Sequence, residues 1–437
     1  MTKKILVLGS GAREHSIIKA IDRSSKPNEI FCIASNMNPG IANLCNEFII
    51  DDFNNTEIVT KYATERNITL AIIGPENPLQ KGIADALCKA KIKVVGPKKQ
   101  LAQIETSKAF TRNLLKKHKI PGGPKYKTFD SVVGVLSFLE DLGDNYVVKF
   151  DGLAGGKGVK VSGDHLASHK DALTYCEELT HKNHEFVIEE KFIGEEFSLM
   201  SFCDGENLKH MPAVQDHKRA FDDDRGPNTG GMGTYSDADH SLPFLRKEEI
   251  QKAQDINQAT ANALRKEFGY GFKGILYGGF MATKDGVKLI EYNARFGDPE
   301  AMNVLSILET DFLDICKGIT EGTLNEIDVR FENKATVCKY AVPEGYPDKP
   351  IKGEEIDLSK VRDHDSLFYA SVDVINGALV EAGSRTVAVI GVDKTIEKAE
   401  KLAQKEISKI KGPLFHRKDI GTSKLIQKKI DHMDSLR

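Results

Sequence analysis

Residues 147–159 read Val147-Val148-Lys149-Phe150-Asp151-Gly152-Leu153-Ala154-Gly155-Gly156-Lys157-Gly158-Val159. The apolar start predicts a β-strand that carries Lys149, and the glycine-rich loop after it carries a second lysine, Lys157. Glycine lets successive backbone N–H groups turn toward one point, and such a point suits a phosphate oxygen. The stretch is not a Walker loop, because no Gly-Lys-Ser/Thr sequence opens a helix there. A glycine loop between two strands can close over a polyphosphate, although a tight hairpin with exposed lysines is the alternative.

An acidic segment overlaps the end of the next predicted strand, 186–190, and reads Glu189-Glu190-Lys191-Phe192-Ile193-Gly194-Glu195-Glu196. An extended backbone here can offer alternating donor and acceptor groups to the edge of an adenine ring. A carboxylate a few residues later can accept hydrogen bonds from ribose hydroxyls. Taken alone, the octet favours a solvated acidic turn, so a nucleotide site depends on the neighbouring motifs.

Polar side chains alternate along a third stretch, Leu289-Ile290-Glu291-Tyr292-Asn293-Ala294-Arg295-Phe296-Gly297-Asp298-Pro299-Glu300. Residues i and i+2 of a strand face the same way, so Glu291 and Asn293 present two oxygen ligands to one side. Such a pair suits Mg²⁺, which accepts one or two protein ligands and completes its octahedron with phosphate oxygens and water. Arg295 continues on this face and could neutralise charge on a transferring phosphoryl group. A structural salt-bridge ladder is the alternative interpretation.

Turn-forming residues are dense between these stretches, in Gln215-Asp216-His217-Lys218-Arg219 and in Gly226-Pro227-Asn228-Thr229-Gly230-Gly231-Met232-Gly233. In a compact domain such a segment is either a long ordered active-site loop or a disordered one. Asn, Thr and clustered basic groups beside glycines favour recognition of a small anion.

The first hundred residues alternate between apolar strands and helices. We predict strands at 4–8, 30–33 and 70–73 and helices at 12–22 and about 78–90, which indicates a parallel α/β sheet. Ligands of such sheets bind beyond the carboxyl ends of the strands, where Gly9–Glu14, Pro39-Gly40 and Gly74–Glu76 would converge. Glu14 stands at the third position of the glycine fingerprint, which removes the close backbone approach that a dinucleotide needs. The turn therefore argues against an NAD-dependent dehydrogenase, the alternative class for this sheet.

Two further regions follow. Strands at 146–150, 158–161 and 186–190 and a polar helix at 247–267 belong to the second region, in which strands and helices alternate to about residue 320. The last 110 or so residues are β-rich, and we expect an amphipathic helix at 394–411 to close a C-terminal α+β domain.

Composition limits the class of protein. The 437 residues carry 61 Lys and Arg against 64 Asp and Glu, and no basic block suggests a nucleic-acid surface. No apolar run approaches the length of a membrane span. The seven cysteines are scattered without a CxxC pair, which favours reduced thiols. We therefore expect a cytoplasmic protein that binds neither nucleic acid nor membrane.

In this order, the stretches resemble the phosphoribosylamine–glycine ligases of the ATP-grasp superfamily over essentially the whole chain. Further matching motifs are Gly-Ser-Gly-Ala-Arg-Glu-His at 9–15, Gly-Pro-Glu at 74–76, Ser-Lys-Ala-Phe at 107–110 and Arg-Lys-Asp-Ile-Gly at 417–421. The resemblance implies an α/β fold with a parallel-sheet, Rossmann-like N-terminal domain at 1–104. It also implies a central ATP-grasp domain at 105–320, with a small lid at about 126–191, and a C-terminal α+β domain at 321–437.

The resemblance also implies roles for single residues. ATP would be bound by Lys108, Lys149, Gly155, Gly156, Lys157, Gly158, Glu190, Lys191, Phe192, Ile193 and Glu196, the last of these at the ribose. Glu291 and Asn293 match the metal ligands, and Arg295 and Lys157 would act on the transferring phosphoryl group. The substrates would be bound by Gly9, Gly11, Arg13, Glu14, Gly40, Glu76, Asp216, Lys218, Arg219, Asn228, Thr229 and Arg295.

The activity implied is an ATP-dependent ligation of glycine to 5-phosphoribosylamine through glycyl phosphate, in purine biosynthesis. Glycine, phosphoribosylamine and ATP would be the small-molecule partners, with Mg²⁺ or Mn²⁺ as cofactor. We expect a monomer with transient contact to neighbouring purine-pathway enzymes. Two competing interpretations are a carboxylase-type relative that activates bicarbonate and a non-catalytic nucleotide sensor. The 215–219 and 226–233 loops speak against the carboxylase.

Overall fold

The N-terminal part of the computed structural model is a parallel sheet, as predicted from the strand–helix alternation. The structure describes residues 2–154 and 158–437. The elements of this part are β1 (Lys3–Leu8), α1 (Ala12–Asp22), β2 (Asn28–Ala34), α2 (Pro39–Ala42), β3 (Glu47–Ile50), α3 (Thr56–Glu65), β4 (Leu70–Ile73), α4 (Glu76–Lys81), α5 (Ile83–Lys89) and β5 (Lys93–Val95). The strand order is β3-β2-β1-β4-β5, and every pairing is parallel.

The helix predicted at about 78–90 is wrong as a single element. Helices α4 and α5 meet at Gly82, which has a φ of +84°. Only glycine adopts this left-handed conformation without strain, so the residue ends one helix and begins the next. The periodicity of the apolar positions continued across the break and concealed it.

The next elements are two helices, whose apolar residues lie in the main core, and a small subdomain that follows them. They are α6 (Lys99–Thr106), α7 (Lys108–Lys117), β6 (Tyr126–Phe129), α8 (Val135–Leu142), β7 (Tyr146–Phe150), β8 (Val159–Val161), α9 (His169–His181) and β9 (Phe186–Glu190). Strands β6-β9-β7-β8 pair antiparallel in that order, and α8 and α9 bury their apolar residues against the sheet. We call residues 126–190 the lid.

After the lid come the four strands of a long antiparallel sheet and several further elements. The elements are β10 (Gly194–Asp204), β11 (Leu208–His210), β12 (Gln215–Asp216), β13 (Arg219–Phe221), β14 (Arg225–Asn228), β15 (Gly233–Ser236), α10 (Lys247–Phe268), β16 (Lys273–Thr283), β17 (Gly286–Asn293), α11 (Glu300–Ser306) and α12 (Phe312–Glu321). Strands β11-β10-β16-β17 form this sheet. Helix α10, predicted at 247–267, begins at Lys247 and ends at Phe268.

The C-terminal part contains β18 (Ala335–Pro343), β19 (Leu367–Tyr369), β20 (Val372–Ile375), β21 (Ala378–Glu381), β22 (Val387–Asp393), α13 (Ile396–Ile407), β23 (Leu414–Phe415) and α14 (Ser423–Leu436). Its sheet has the order β12-β15-β18-β22-β19, with β23 also paired to β18. Strands β12 and β15 come from residues 215–236, far earlier in the chain. The substrate loop predicted from sequence is therefore fastened to the C-terminal sheet, a connection that the sequence did not indicate.

The expectation that the helix near 394–411 closes the chain is wrong, because α14 follows α13. Thr422 caps α14 by accepting a hydrogen bond from the Leu425 N–H. Lys429 on this helix lies 3.2 Å from a Glu195 oxygen and 2.8 Å from an Asp224 oxygen. The helix thus braces the start of β10 and the loop after β13. Within the ranges described, none of the helices combines the length and apolar character needed to span a bilayer.

Candidate active site

A cleft lies against the face of the sheet formed by β10, β16 and β17. Four residues selected from the sequence, Glu196, Asp216, Lys218 and Glu291, line it together. Its other lining residues are Phe197, Ser198, Tyr277, Gly279, Phe280 and Ile290. The predicted ribose acceptor and a predicted metal ligand therefore face one space, as the nucleotide interpretation requires.

A β-bulge shapes the wall of the cleft. Gly279 pairs with Glu291, whereas the next residue of β16, Phe280, pairs with Leu289, so Ile290 is an extra residue in β17. Bulges release backbone groups from the ladder and redirect neighbouring side chains. Here the Ile290 carbonyl accepts hydrogen bonds from Arg112 Nη2 at 2.5 Å and from Lys149 Nζ at 3.3 Å. The bulge thus joins β17, which carries Glu291 and Asn293, to the lysine of the lid.

Positive charge converges on Glu291. Burial opposes its ionisation, yet nearby cations lower the pKa of its carboxyl, and the contributors are Lys218, Lys149, Lys108 and Arg295. Three of these cations also contact a carboxylate of their own: Lys218 with Glu196, Lys149 with Glu189 and Arg295 with Glu105. Cations that are fixed in this way around one point suit a polyphosphate and the metal ion that accompanies it.

Lys149 is held by a buried carboxylate that sequence reasoning did not assign. Arg112 binds Glu189 through two hydrogen bonds, of 2.8 Å and 3.0 Å, and the Lys149 ammonium contacts the same carboxylate. Burial lowers the pKa of Lys149, while the charge of Glu189 opposes that effect. Glu189 therefore keeps Lys149 charged and fixed in position. Glu189 lies on β9, where it pairs with Val147, two residues before Lys149 on β7.

Lys108 and the glycine-rich loop meet at the start of α7. The Lys108 ammonium donates to the Gly152 carbonyl at 2.8 Å. The Asp151 carboxylate accepts from the Ser107 hydroxyl at 2.9 Å and from the Lys108 and Ala109 N–H groups at 2.5 and 3.2 Å, so it fastens the loop to the helix. Gly155, Gly156 and Lys157, assigned to ATP from the sequence, lie outside the described residues. Gly158 is described, and a Cβ there would come within 2.8 Å of the Ala154 Cβ.

The segment assigned to adenine, Glu190–Ile193, leaves the lid after β9 and leads into β10. Lys191 donates to the Ser162 carbonyl at 2.8 Å, which ties this segment to the turn after β8. Ile193 is 51% exposed, and Phe192 is half-buried. Further on, the Glu196 carboxylate accepts from Lys218 at 2.9 Å.

The glycine turn after β1 holds a carboxylate of the protein itself. The Gly11 N–H donates to Glu14 at 2.7 Å, and Arg13 Nε donates to the other oxygen of Glu14 at 2.6 Å. A Cβ on Gly74 would overlap Glu14 Oε1, and one on Gly9 would come within 2.7 Å of the same side chain. The glycines are thus needed to admit Glu14, which gives a physical reason for the altered fingerprint.

Arg295 connects this turn to β17. It lies 3.1 Å from Glu105 and 3.4 Å from Glu76, and its Nη2 donates to Asn293 Oδ1 at 3.2 Å. Arg13 and Arg295 both donate to the Phe296 carbonyl. Glu105, on α6, is a residue that the sequence did not single out.

Other predicted substrate residues lie away from the lining of the cleft. Arg219 donates to Asp164 of the lid at 2.6 Å and to the Gly226 carbonyl at 3.0 Å. Asn228 pairs with Arg219 in the ladder between β13 and β14. The Thr229 hydroxyl donates to the Lys218 carbonyl at 2.8 Å.

Gly40, the remaining predicted substrate residue, lies on α2. A Cβ at this position would come within 2.5 Å of His15 and would overlap the Tyr369 ring. The glycine therefore permits a close contact between α1, α2 and the C-terminal part.

Comparisons with known proteins show the family to which the chain belongs. Three domain models of phosphoribosylglycinamide synthetase match in order, the N domain at residues 3–105, the ATP-grasp (A) domain at 106–301 and the C domain at 336–423. A relative from Methanosarcina barkeri named phosphoribosylamine–glycine ligase is 52% identical, over 99% of this chain and 100% of the relative. A Methanocaldococcus jannaschii relative of the same name is 48% identical over the same shares.

Solved structures resemble the fold as well. The crystal structure of phosphoribosylamine–glycine ligase from Thermotoga maritima superposes with a TM-score of 0.81 and 26% identity, covering 95% of this chain and 99% of that one. The biotin carboxylase domain of Hydrogenobacter thermophilus 2-oxoglutarate carboxylase, a complex with MgADP and bicarbonate, reaches 0.69 at 16% identity, covering 99% and 94%. The second likeness supports the ATP-grasp fold alone. With domain models matched across most of its length and relatives near half identical, the chain belongs to the phosphoribosylglycinamide synthetase family.

Proposed function

We propose that the protein is a phosphoribosylamine–glycine ligase, which joins glycine to 5-phosphoribosylamine and converts ATP to ADP and phosphate. The observation that supports this most directly is the cleft in which Glu196, Lys218 and Glu291 face one space. Phosphoryl transfer needs groups that hold the nucleotide, a cation near the phosphates and a ligand for the metal ion. In this proposal Glu196 accepts from the ribose, Lys218 supplies the cation and Glu291 binds the metal ion. Family membership supplies the choice of substrates.

The reaction needs activation of a carboxylate, because the glycine carboxylate has no adequate leaving group. In the proposed sequence ATP phosphorylates glycine to glycyl phosphate, and the 1-amine of phosphoribosylamine then attacks the acyl carbon and releases phosphate. Lys149, Lys108 and Lys218 are charged groups fixed around Glu291 before the reaction begins. Such preorganised charges stabilise the transferring phosphoryl group without further reorganisation.

Glu291 and Asn293 would hold the metal ion. The surrounding cations keep the Glu291 carboxyl ionised, and Asn293 lies two residues further along the same strand. Two oxygen donors are what Mg²⁺ usually accepts from a protein, so the donor set fits this ion, and it fits Mn²⁺ as well. When bound, the metal ion would offset the charge of the phosphate oxygens.

The N-terminal domain would bind phosphoribosylamine beside the turn that Glu14 fills. In this proposal, residues 1–104 bind phosphoribosylamine through Gly9, Gly11, Arg13, Glu14 and Glu76, residues 105–320 bind ATP, and residues 321–437 complete the substrate side. Arg13 and Arg295 both reach the Phe296 carbonyl, so the two substrate regions adjoin. Arg295 would act on the phosphoryl group from this junction.

The lid would keep water away from the acyl phosphate. Two contacts hold the lid to residues that follow it in the chain, Arg219 to Asp164 at 2.6 Å and Lys191 to the Ser162 carbonyl at 2.8 Å. Exclusion of water matters because acyl phosphates hydrolyse, and closed sites also strengthen the electrostatic interactions inside them. Arg219 would thus serve the reaction through the lid.

The proposal is tested by ADP formation from the purified protein with ATP and Mg²⁺. We expect turnover only when glycine and phosphoribosylamine are both present, with one phosphate released for each glycinamide ribonucleotide formed. Turnover with bicarbonate in place of glycine would support a carboxylase instead. Binding of ATP without phosphate release under any substrate combination would indicate a nucleotide sensor.

A further inference from the structure

The Arg-Lys-Asp-Ile-Gly motif at 417–421 lies apart from the residues that line the cleft. Its arginine is almost wholly enclosed, because Arg417 is only 1% exposed. Arg417 Nε and Nη2 donate to the two carboxylate oxygens of Asp419 at 2.8 and 2.7 Å, and Nη1 donates to an Asp224 oxygen at 2.9 Å. The two parallel hydrogen bonds to Asp419 fix the plane of the guanidinium group.

The motif holds the backbone of residues 219–224 at two points. Arg417 Nη1 also donates to the Arg219 carbonyl at 3.1 Å. The Asp419 carboxylate accepts from the Asp223 N–H at 2.9 Å. We call residues 219–224 the anchored segment.

The end of the anchored segment has an unusual backbone conformation. Asp223 and Asp224 have φ values of +63° and +55°, and residues other than glycine rarely adopt this left-handed conformation. Such a conformation costs energy and persists only where the surrounding structure holds it. Here the Lys418 N–H donates to Asp222 at 2.9 Å, and the Lys429 ammonium donates to Asp224 at 2.8 Å. The segment therefore takes its shape from the C-terminal residues around it.

The first residue of the anchored segment, Arg219, reaches the lid. Its Nη2 donates to Asp164 at 2.6 Å, a contact that we call the latch, and its Nη1 donates to the Gly226 carbonyl at 3.0 Å. The side chains of Arg219 and Asp164 are 28% and 42% exposed. Exposed ion pairs contribute little stability, because ordering two flexible side chains offsets much of their attraction. An arginine that is already held loses less freedom when it binds, so the latch depends on the contacts at the base of Arg219.

We infer that Arg417 and Asp419 are positioning residues for lid closure, because they hold the anchored segment so that Arg219 can bind Asp164. The inference rests on the proposed function, in which the lid keeps water from glycyl phosphate. Neither Arg417 nor Asp419 lines the cleft, so both act through the latch.

A loosened anchored segment would let the lid open while glycyl phosphate waits for the amine. The oxygen of a water molecule would then bond to the acyl carbon, and the bond from that carbon to the phosphate oxygen would break. Glycine and phosphate would be released, with one proton of the water passing to the phosphate and the other to solvent. ATP would be consumed without formation of product.

The test measures the phosphate released per glycinamide ribonucleotide formed, at subsaturating phosphoribosylamine, where glycyl phosphate waits longest. The wild type should release one phosphate for each product molecule. Asp164→Asn removes a charge of the latch, and loss of an exposed ion pair shifts an open–closed equilibrium by up to about fivefold, so the ratio should rise roughly two- to fivefold.

Two variants of the motif should raise the same ratio to a similar extent. Arg417→Lys keeps the positive charge, but a single ammonium group cannot hold the Arg219 carbonyl and both carboxylates together. Asp419→Asn keeps the shape of the side chain and weakens its bonds to Arg417 and to the Asp223 N–H. Arg265→Lys changes an arginine that lies 2.7 Å from Glu206 in another exposed ion pair, and this matched control should leave the ratio unchanged.

A double variant separates positioning from general damage. If Arg417 acts through the latch, Arg417→Lys combined with Asp164→Asn should raise the ratio no further than Asp164→Asn alone. A protein that is merely less stable would lose turnover and keep a ratio of one phosphate per product. If Arg417→Lys does not fold, Asp419→Asn combined with Asp164→Asn provides the same comparison.

Three results would overturn the inference. They are an unchanged ratio in the folded motif variants, an unchanged ratio in Asp164→Asn, and a double variant in which the two single effects multiply. A wild-type protein that forms no glycinamide ribonucleotide would instead refute the proposed function itself.

Discussion

Replacing Glu189 by glutamine tests whether the lysine at the cleft depends on its buried counter-charge. The side chains of Arg112, Lys149 and Glu189 are at most 5% exposed. Glutamine keeps the shape of the residue, so Arg112 and Lys149 would remain as two buried cations without a carboxylate between them. Both stability and activity should respond.

The stability change can be derived from the environment of Glu189. Burial opposes ionisation of this carboxyl, yet Arg112 and Lys149 together lower its pKa from 4.5 to about 2. A shift of that size corresponds to about 3 kcal/mol of stability at neutral pH, which is lost only in strong acid as pH falls toward the folded-state pKa. Breaking a buried ion pair typically costs about 3–5 kcal/mol. We expect Glu189→Gln to lower the free energy of unfolding by about 3 kcal/mol.

The activity change has a separate cause. Without Glu189, burial would drive Lys149 toward its neutral form, because burial already lowers the pKa of this lysine. A neutral amine binds phosphate poorly, so single-turnover phosphate release should slow by roughly 10²–10³-fold. Lowering the pH from about 8 to about 6 should restore part of the loss by recharging the lysine.

Urea denaturation and rapid-quench phosphate release measure the two effects. Glu177→Gln, an exposed carboxylate on α9 of the same lid, is the control and should leave both unchanged. If Glu189→Gln unfolds within about 0.5 kcal/mol of wild type and keeps its single-turnover rate, the buried carboxylate does not anchor Lys149.

Three further outcomes are expected. Glu291→Gln should lower turnover at saturating Mg²⁺ by roughly 10²–10³-fold while phosphate release without added glycine stays at background, and wild-type turnover would refute its metal role. Acid should destabilise the fold, because burial lowers the pKa values of His217 to about 3 and of His210 and His416 to about 4. Between about pH 6.5 and pH 4 these histidines are protonated in the unfolded chain and stay neutral in the folded chain, so the urea midpoint should fall as the pH drops. A midpoint that does not change over this range would contradict the prediction. Lys429→Met should cost about 1–3 kcal/mol, since it removes the ammonium group that contacts both Glu195 and Asp224 and leaves them with His432 and Arg417 as their basic partners. A calorimetric transition that does not shift would argue against this brace.

Much of the fold follows from local sequence patterns. Continuous apolar runs bounded by glycine predicted the strand Leu70–Ile73 at its observed bounds, and the helix Ala12–Asp22 followed from its periodicity. Both elements are determined by residues that are close to each other in the sequence, so a local pattern is enough to predict them. The break at Gly82 was missed because apolar spacing alone does not reveal a left-handed residue.

Long-range connections were not predictable in the same way. The pairing of β15 with β18 joins residues a hundred positions apart, and no local pattern encodes such a choice of partner. Helix α14 did carry a signal, because Thr422 precedes Ile426, Ile430 and Met433 at helical spacing. Reading that cap as a helix start would have found it.

In the site, too, features set by local spacing were predictable and features set by long-range contacts were not. Spacing predicted that Glu291 and Asn293 share a side, but the bulge at Ile290 cannot be read from residue types. Glu105 was not singled out, and Glu189 was noticed only as part of the acidic segment, because a buried carboxylate gains its role from cations that only the folded chain brings near. Arg219 contacts Asp164 of the lid, and its assignment to substrate stays a prediction.

The pairing of β12 and β15 into the C-terminal sheet has a consequence for exchanging parts between homologues. A chimaera cut in the linker before Ala335 would bring a foreign β18 against the resident β15, so side chains facing each other across that seam would come from different parents. Transplanting residues 215–236 together with the C-terminal part would keep the seam intact. The unit that can be exchanged therefore consists of two separate stretches of the gene. Hybrids that exchange both stretches should express as soluble protein, whereas hybrids that exchange only the C-terminal part should not.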